Sequence, residues 1–292
     1  MLKNPYIDSN PECKKEGIMK SFFVRSLLWL MPKRAYTNII GAIVRRRFSA
    51  RLIPWYARHF SINLEELAKP LQEHKSLGEF FSRKLSVEAR PIANGVVSPV
   101  DGEVSSMGKI DRNILLQIKG HTYSLEELLV DAEAAASYAD GWYVTLYLSP
   151  SDYHRIHAPL DCVARRYRHI PGTLYPVNVH GVSHVQRLFV RNERVVTYFD
   201  SAHGSFAMVK VGAAGVGSIV VPFGDLPSGR RRQRGPILDK PCQETFAKGE
   251  EVGYFALGST VVLLFPPSVM LRFVVSPGDK IRMGRTIAQI GG

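Results

Sequence analysis

Cysteine is scarce in this chain of 292 residues: Cys13, Cys162 and Cys242 are the only three, and no Cys-x-x-Cys pair occurs. An odd count without paired spacing argues against a disulfide framework and a thiolate zinc centre, and fits a reducing compartment. Long apolar runs are missing as well. The longest near the start, Phe22 to Met31, is interrupted by Arg25 and closed by Pro32, short of the roughly 20 residues that span a bilayer. Lys33 and Arg34 follow it with no Ala-x-Ala-like cleavage site, so the segment is expected to stay on the mature protein rather than leave as a secretory signal. Gly-x-Ser-x-Gly, the nucleophile turn of many serine hydrolases, is also absent.

Acidic residues are few at the beginning. Residues 1–60 carry twelve Lys and Arg against Asp8, Glu12 and Glu16, which is nine of the net twelve positive charges. The remaining 232 residues are nearly balanced, so the handle for an anionic partner is a terminal element on an ordinary body. With 45% hydrophobic and 22% charged residues the chain is a folded protein with room for one large or two smaller cores.

Wound as a helix, Phe23, Leu27, Leu30 and Met31 share an apolar side while Arg25, Ser26 and Lys33 form a narrow polar strip. Ile39, Ile40, Ile43 and Val44, then Arg45-Arg46-Arg47, then Trp55-Tyr56 with Arg58, repeat the mixture of apolar face, cations and interfacial aromatics. These patterns suit helices lying in an anionic headgroup layer; a helical pair packed on the body with a solvated basic face is the alternative. No nucleic-acid reader motif accompanies the basic residues, so nucleic acid is not expected as a partner.

Ser61-Ile-Asn-Leu-Glu-Glu-Leu offers an N-cap and acidic first turn and predicts a short helix ending near Pro70; another is predicted over Ser76 to Phe81. Beyond Arg90-Pro91 the texture changes to short β-branched runs, Val96-Val97, Ile114 to Ile118, Trp142 to Leu148, Val195 to Phe199, Ile219 to Val221, Thr260 to Phe265 and Leu271 to Val275, separated by Gly, Pro, Asp and Asn. Ser124 to Ala136 is the helical exception. Lys248 to Gly253 and Pro277 to Gly284 echo one another and are read as hairpin turns, without the modifiable lysine of a lipoyl or biotinyl carrier. Ser228 to Pro236, with its Arg230 to Arg234 run, reads as a cationic loop. The fold class expected is α+β: an amphipathic helical region over 1–75 and a β-rich catalytic domain of short strands over 76–292.

Three phrases can carry chemistry: Pro99-Val100-Asp101-Gly102, Ser151-Asp152-Tyr153-His154-Arg155-Ile156-His157 and Leu257-Gly258-Ser259-Thr260. Taken singly, each is more often structural: Asp-Gly a turn, paired histidines a surface feature, Gly-Ser a strand start. Together they supply a carboxylate, an imidazole and a hydroxyl, the set from which an activated serine is built. With Gly258 directly before it, Ser259 would most easily attack its own chain, because the glycine leaves its carbonyl unshielded and tolerates a strained turn. A metal is not expected, since His154, His157 and Asp152 lack a third partner of suitable spacing. Tyr147 and Tyr153 read as core or rim aromatics.

These residues carry a resemblance to the phosphatidylserine decarboxylases. It runs through Phe80-Phe81-Ser-Arg83-Lys-Leu85, Ala89-Arg90-Pro91-Ile92, Ser98-Pro-Val-Asp101-Gly, Tyr153-His154-Arg-Ile-His157, Pro171-Gly-Thr-Leu-Tyr-Pro-Val-Asn178, Val211-Gly-Ala-Ala-Gly-Val-Gly217, Lys248-Gly-Glu-Glu-Val-Gly253 and Leu257-Gly-Ser-Thr260. It implies that Asp101 orients His157, that His157 deprotonates Ser259, and that attack on Gly258 cleaves the precursor into chains 1–258 and 259–292, the latter capped by a pyruvoyl group made from Ser259. A pyruvoyl ketone would take the place of pyridoxal phosphate. The implied substrate is phosphatidylserine, converted to phosphatidylethanolamine and carbon dioxide at a membrane surface. His154 is the expected proton donor or organiser after carbon loss, and Asn178 and His180 are candidate ligands for a substrate carboxylate or phosphate. The expected setting is peripheral, on the cytoplasmic face of a bacterial inner membrane, with a homo-oligomer left open. A pyruvoyl decarboxylase of a soluble amino acid and a non-enzymatic docking or carrier module are the rival readings.

Overall fold

A computed structural model describes residues 33–116, 122–177, 184–213, 219–226, 235–256 and 259–291. The Phe22 to Met31 stretch, Asn178, His180, the Arg230 to Arg234 run and Gly258 lie outside the described residues. The helices are α1 (Lys33–Arg45), α2 (Ile53–His59), α3 (Leu77–Phe81), α4 (Leu125–Leu129), α5 (Ala132–Tyr138) and α6 (Leu188–Arg191). The strands begin with β1 (Val96–Val97), β2 (Gly102–Lys109), β3 (Ile114–Leu116), β4 (Thr122–Ser124), β5 (Trp142–Leu148), β6 (Arg155–His157), β7 (Cys162–Ile170) and β8 (Arg194–Ser201). They continue with β9 (Gly204–Gly212), β10 (Ile219–Val220), β11 (Leu238–Phe246), β12 (Glu251–Phe255), β13 (Ser259–Phe265), β14 (Leu271–Phe273), β15 (Lys280–Ile281) and β16 (Thr286–Ile290). The mixture is α+β, rich in strands.

An eight-stranded antiparallel sheet, in the order β11-β7-β8-β9-β13-β5-β2-β15, forms the spine. β13 lies between β9 and β5, and its sequence Ser-Thr-Val-Val-Leu-Leu-Phe is buried throughout, as a strand covered on both faces must be. Side chains alternate along it. Val261 and Leu263 enter one core with Leu148, Ile156, Val252 and Phe255, under the small sheet β10-β12-β6. Val262 and Leu264 enter a second core with Leu125, Leu128 and Leu188, under the α4 and α6 helices. The phase of that alternation puts Ser259 on the first side and Thr260 on the second.

A third cluster, Val44, Ile53, Tyr56, Ala57, Leu77, Phe80 and Phe81, holds the helical layer together. Within α1 the four apolar positions divide: Val44 is buried and Ile40 packs against this cluster, while Ile39 and Ile43 are exposed. The layer is fastened to the body at Tyr56, whose hydroxyl donates to the Pro150 carbonyl at 2.7 Å. Among the described residues no helix is long and apolar enough to cross a membrane.

Several local expectations need correction. The helix expected after Ser61 does not form: Ser61 sits at φ +50°, the Asn63 side chain turns back to the Glu65 N–H, and Leu67 bridges to Leu85 instead. Asn63 offers the backbone a competing turn that replaces the helical bond. Ser124 to Ala136 breaks into two helices, since Val130 adopts the left-handed conformation and Asp131 caps α5 through the Ala134 N–H. The two echoing Gly phrases are turns but not hairpins. Residues 247–250 lead from β11 in the large sheet to β12 in a small one, and 276–279 lead from β14 to β15 in different sheets.

Candidate active site

Ser259 opens β13 opposite Leu148 on one neighbour and Gly212 on the other. It is fully buried, and its hydroxyl oxygen has no hydrogen-bond partner among the described residues. A buried hydroxyl left unpaired costs free energy comparable to a lost hydrogen bond. Gly212 sets no side chain beside it; a Cβ there would already meet Leu174 Cδ2 at 3.4 Å.

Asp101 reaches the same end of the sheet through a close approach. A Cβ at Gly102 would stand 2.2 Å from the Tyr147 carbonyl oxygen, so only glycine lets this turn lie against the end of β5. The turn is also tied to the histidine segment, because the His157 N–H donates to the Pro99 carbonyl at 2.8 Å. The Asp101 carboxylate accepts from Arg90 Nε at 2.9 Å, from Arg90 Nη2 at 2.5 Å and from the Met283 N–H at 2.8 Å. Arg90 in turn reaches Glu66 at 2.9 Å, and Arg282 holds the other oxygen of Glu66.

His157 ends β6, opposite Glu251 on β12. Its Nδ1 lies 2.8 Å from the Gly249 carbonyl, which can only accept, so Nδ1 carries the hydrogen. Nε2 is then the lone pair, and the Tyr153 hydroxyl donates to it at 3.1 Å. Burial pulls the imidazole below its usual range; the Gly249 bond, Glu251 and Asp101 push it back, and Arg155 adds to the fall. The Asp101 charge reaches His157, and the His157 backbone is tied at Pro99 to the turn that carries Asp101. The partners of the two side chains among the described residues do not include one another.

His154 is buried completely beneath the Phe81 ring, whose centre lies 4.0 Å away. Its Nδ1–H donates to the Asp152 carbonyl at 2.8 Å, leaving Nε2 buried without a partner among the described residues. Burial lowers its pKa to about 3, so it is neutral over the working range. The Phe255 N–H donates to the His154 carbonyl, which ties the histidine segment to the end of β12. Burial raises the Asp152 carboxyl above its usual range.

Four contributors were not singled out as site residues from sequence: Arg90, Tyr153, Gly212 and the carbonyl of Gly249. All four stand in phrases that carried the resemblance, which was the available signal. The residue type alone gives none for the contact a backbone carbonyl makes.

The family model of phosphatidylserine decarboxylase matches residues 77–289. The phosphatidylserine decarboxylase proenzyme of Brevibacillus brevis is 40% identical over 268 residues, covering 90% of this chain and 96% of that one. The proenzyme of Methylobacillus flagellatus is 39% identical over 272 residues, covering 90% and 97%, and that of an Anaeromyxobacter species 41% identical over 276 residues, covering 90% and 96%. A match over almost all of the β-rich body, with relatives of nearly the same length, places the chain in the phosphatidylserine decarboxylase family.

Proposed function

We propose that this chain is the precursor of a self-processing enzyme that decarboxylates phosphatidylserine in phospholipid synthesis. The observation that carries the reading is the Ser259 hydroxyl: buried, without a partner among the described residues, at the first residue of a central strand and on the face covered by the sheet that bears His157. His157 takes the hydroxyl proton, and the oxygen attacks the Gly258 carbonyl carbon. The Gly258–Ser259 amide breaks and an ester forms. Loss of the Ser259 α-proton then expels the Gly258 carboxylate, leaving a dehydroalanine terminus that water converts to a pyruvoyl group with release of ammonia. Asp101 stabilises the positive charge His157 acquires, from a position fixed by Arg90 and the Met283 N–H.

The position fits a pyruvoyl group, which is smaller than the serine it replaces because the hydroxyl oxygen leaves with Gly258, and Gly212 opposite it carries no side chain. That group supplies a ketone to condense with the substrate amine and accept the electrons released with carbon dioxide. His154 Nε2 is a buried acceptor without a partner among the described residues, and since the ring stays neutral it is assigned to organise the proton that returns to the substrate carbon, by accepting a hydrogen bond, rather than to store one. Asn178 and His180 are assigned to the substrate's carboxylate or phosphate on sequence grounds.

The helical layer supports peripheral attachment to an anionic bilayer at the cytoplasmic face of the bacterial inner membrane. Ile39, Phe48, Leu52 and Trp55 are all exposed, and Arg45, Arg46, Arg47, Arg51 and Arg58 stand exposed among them. Phosphatidylserine vesicles incubated with the purified protein should yield phosphatidylethanolamine, and Ser259→Ala should be inert and uncut. Cleavage at the same bond in Ser259→Ala would end the serine-attack mechanism.

A further inference from the structure

We propose that Tyr153 is the positioning residue of the base: its hydroxyl donates to Nε2 of His157, while the Gly249 carbonyl holds Nδ1–H, so that the imidazole is fixed in one tautomer. The inference rests on His157 being the base for Ser259. It adds a side chain that the carboxylate–imidazole–hydroxyl scheme does not contain.

Both rings are buried, with the Tyr153 and His157 centroids 5.6 Å apart and their planes inclined by 30°. The Arg90 guanidinium lies 6.0 Å from the Tyr153 ring centre while its nitrogens hold Asp101. A continuous path thus runs from the Asp101 carboxylate through Arg90 to Tyr153 and on to His157, at the rim of a cleft of about 450 Å³ that Asp101, Arg90 and Tyr153 line together. This path supplies the orientation that a direct Asp101–His157 bond would otherwise give. A hydroxyl also suits the position because it can rotate: in giving up Nε2 to Ser259 it loses one hydrogen bond but moves no ring.

The bond has a definite electrostatic sign. A hydrogen bond donated to the neutral imidazole favours the neutral form and keeps the lone pair available in mild acid. The charged groups around this ring are Glu251 opposite it on β12, Arg155 two residues before it, Asp101 on the preceding turn and Arg90 beyond Tyr153. Arg155 Nη1 reaches both oxygens of Glu251, at 2.6 and 2.7 Å, so those two charges largely offset each other at His157.

The full-length Ser259→Ala chain, which should remain an uncut precursor, is labelled with ¹⁵N-histidine and titrated by NMR with Tyr153 intact and with Tyr153→Phe. His157 should show a protonated Nδ1 in both. Its titration midpoint should move up by about 0.5–1 pH unit in Tyr153→Phe, the size of one ordinary hydrogen bond. In chains that retain Ser259, made by cell-free synthesis and shifted in pH, the acid limb of self-cleavage should move by the same interval. Cleavage at the foot of that limb should then be about three- to tenfold slower. Tyr143→Phe, a buried tyrosine elsewhere in the sheet, is the control for general loss of packing. An unchanged His157 midpoint in a folded Tyr153→Phe chain, or the same shift in Tyr143→Phe, overturns the role. Cleavage of Ser259→Ala would instead overturn the function on which it rests.

Discussion

The helical layer and the β-rich body place their polar and apolar groups in opposite senses. Around α1 and α2, large apolar side chains such as Phe48 and Trp55 face outward among exposed arginines. In the body the large apolar groups are inside, and so are Ser259, His154, His157, Lys210 and the Arg90–Asp101 pair. Exposed apolar area next to cations lowers solubility and is retained where a lipid surface receives it. Buried polar atoms without partners lower stability and are retained where a reaction uses them. On the proposed function, one region presents a surface to lipid and the other holds the chemistry.

Substitutions should separate the two. The largest effect is expected in the body, where Ser259→Ala should remove both chain cleavage and decarboxylation, seen as one band on denaturing gels and no carbon dioxide. His157→Gln should slow self-cleavage by about 10²–10⁴-fold, the contribution of a positioned base, measured as a cleavage time course. Arg90→Gln strands a buried Asp101 and should lower unfolding free energy by about 3 kcal/mol, read from urea denaturation of the uncut chain. In the helical layer, Phe48→Ser with Trp55→Ser should cut activity on anionic vesicles about thirtyfold through loss of about 2 kcal/mol of apolar burial. Turnover of a short-chain, water-soluble phosphatidylserine should be unchanged by that pair, and an equal loss on both substrates would erase the distinction between the two regions.

The smallest effect tests whether every buried polar group in the body is functional. Lys210 is completely buried, its amine donates only to Thr197 Oγ1 at 2.8 Å, and burial lowers its pKa to about 7. The unfolded chain therefore binds more protons than the folded one from about pH 7 up to the ordinary lysine value, and stability should rise with pH across that window. Lys210→Met should raise the melting temperature at pH 7 by a few degrees, flatten that rise and leave cleavage intact.

Much of this organisation could be read from residue patterns, and the exceptions have physical causes. β5, β8 and β13 declared themselves through continuous β-branched and aromatic runs, as strands covered on both faces do. β7 and β11 did not, because Arg166 and Arg168 on one pair with Asp239 on the other, and these charges mask the apolar alternate positions. At the site, Asp101, His154, His157 and Ser259 could be named as candidates because together they supply a carboxylate, imidazoles and a hydroxyl within phrases that carry the resemblance. The Asp101–Arg90 pairing and the Tyr153–His157 bond were not legible, since they depend on how the Gly102 turn meets β5 and how Gly249 meets β6. The α1 face was half legible: its apolar residues were evident, but their division between the helical core and the outer surface depends on where α3 and its Leu77, Phe80 and Phe81 come to rest.

Intact mass measurement of the purified protein under denaturing conditions is the most direct test of self-processing. Two chains are expected, residues 1–258 and residues 259–292, the shorter one blocked at its amino end by a keto-acyl group in place of serine and gaining two hydrogens on borohydride reduction. A single uncleaved chain that still releases carbon dioxide, or a shorter chain that begins with free serine, contradicts the mechanism.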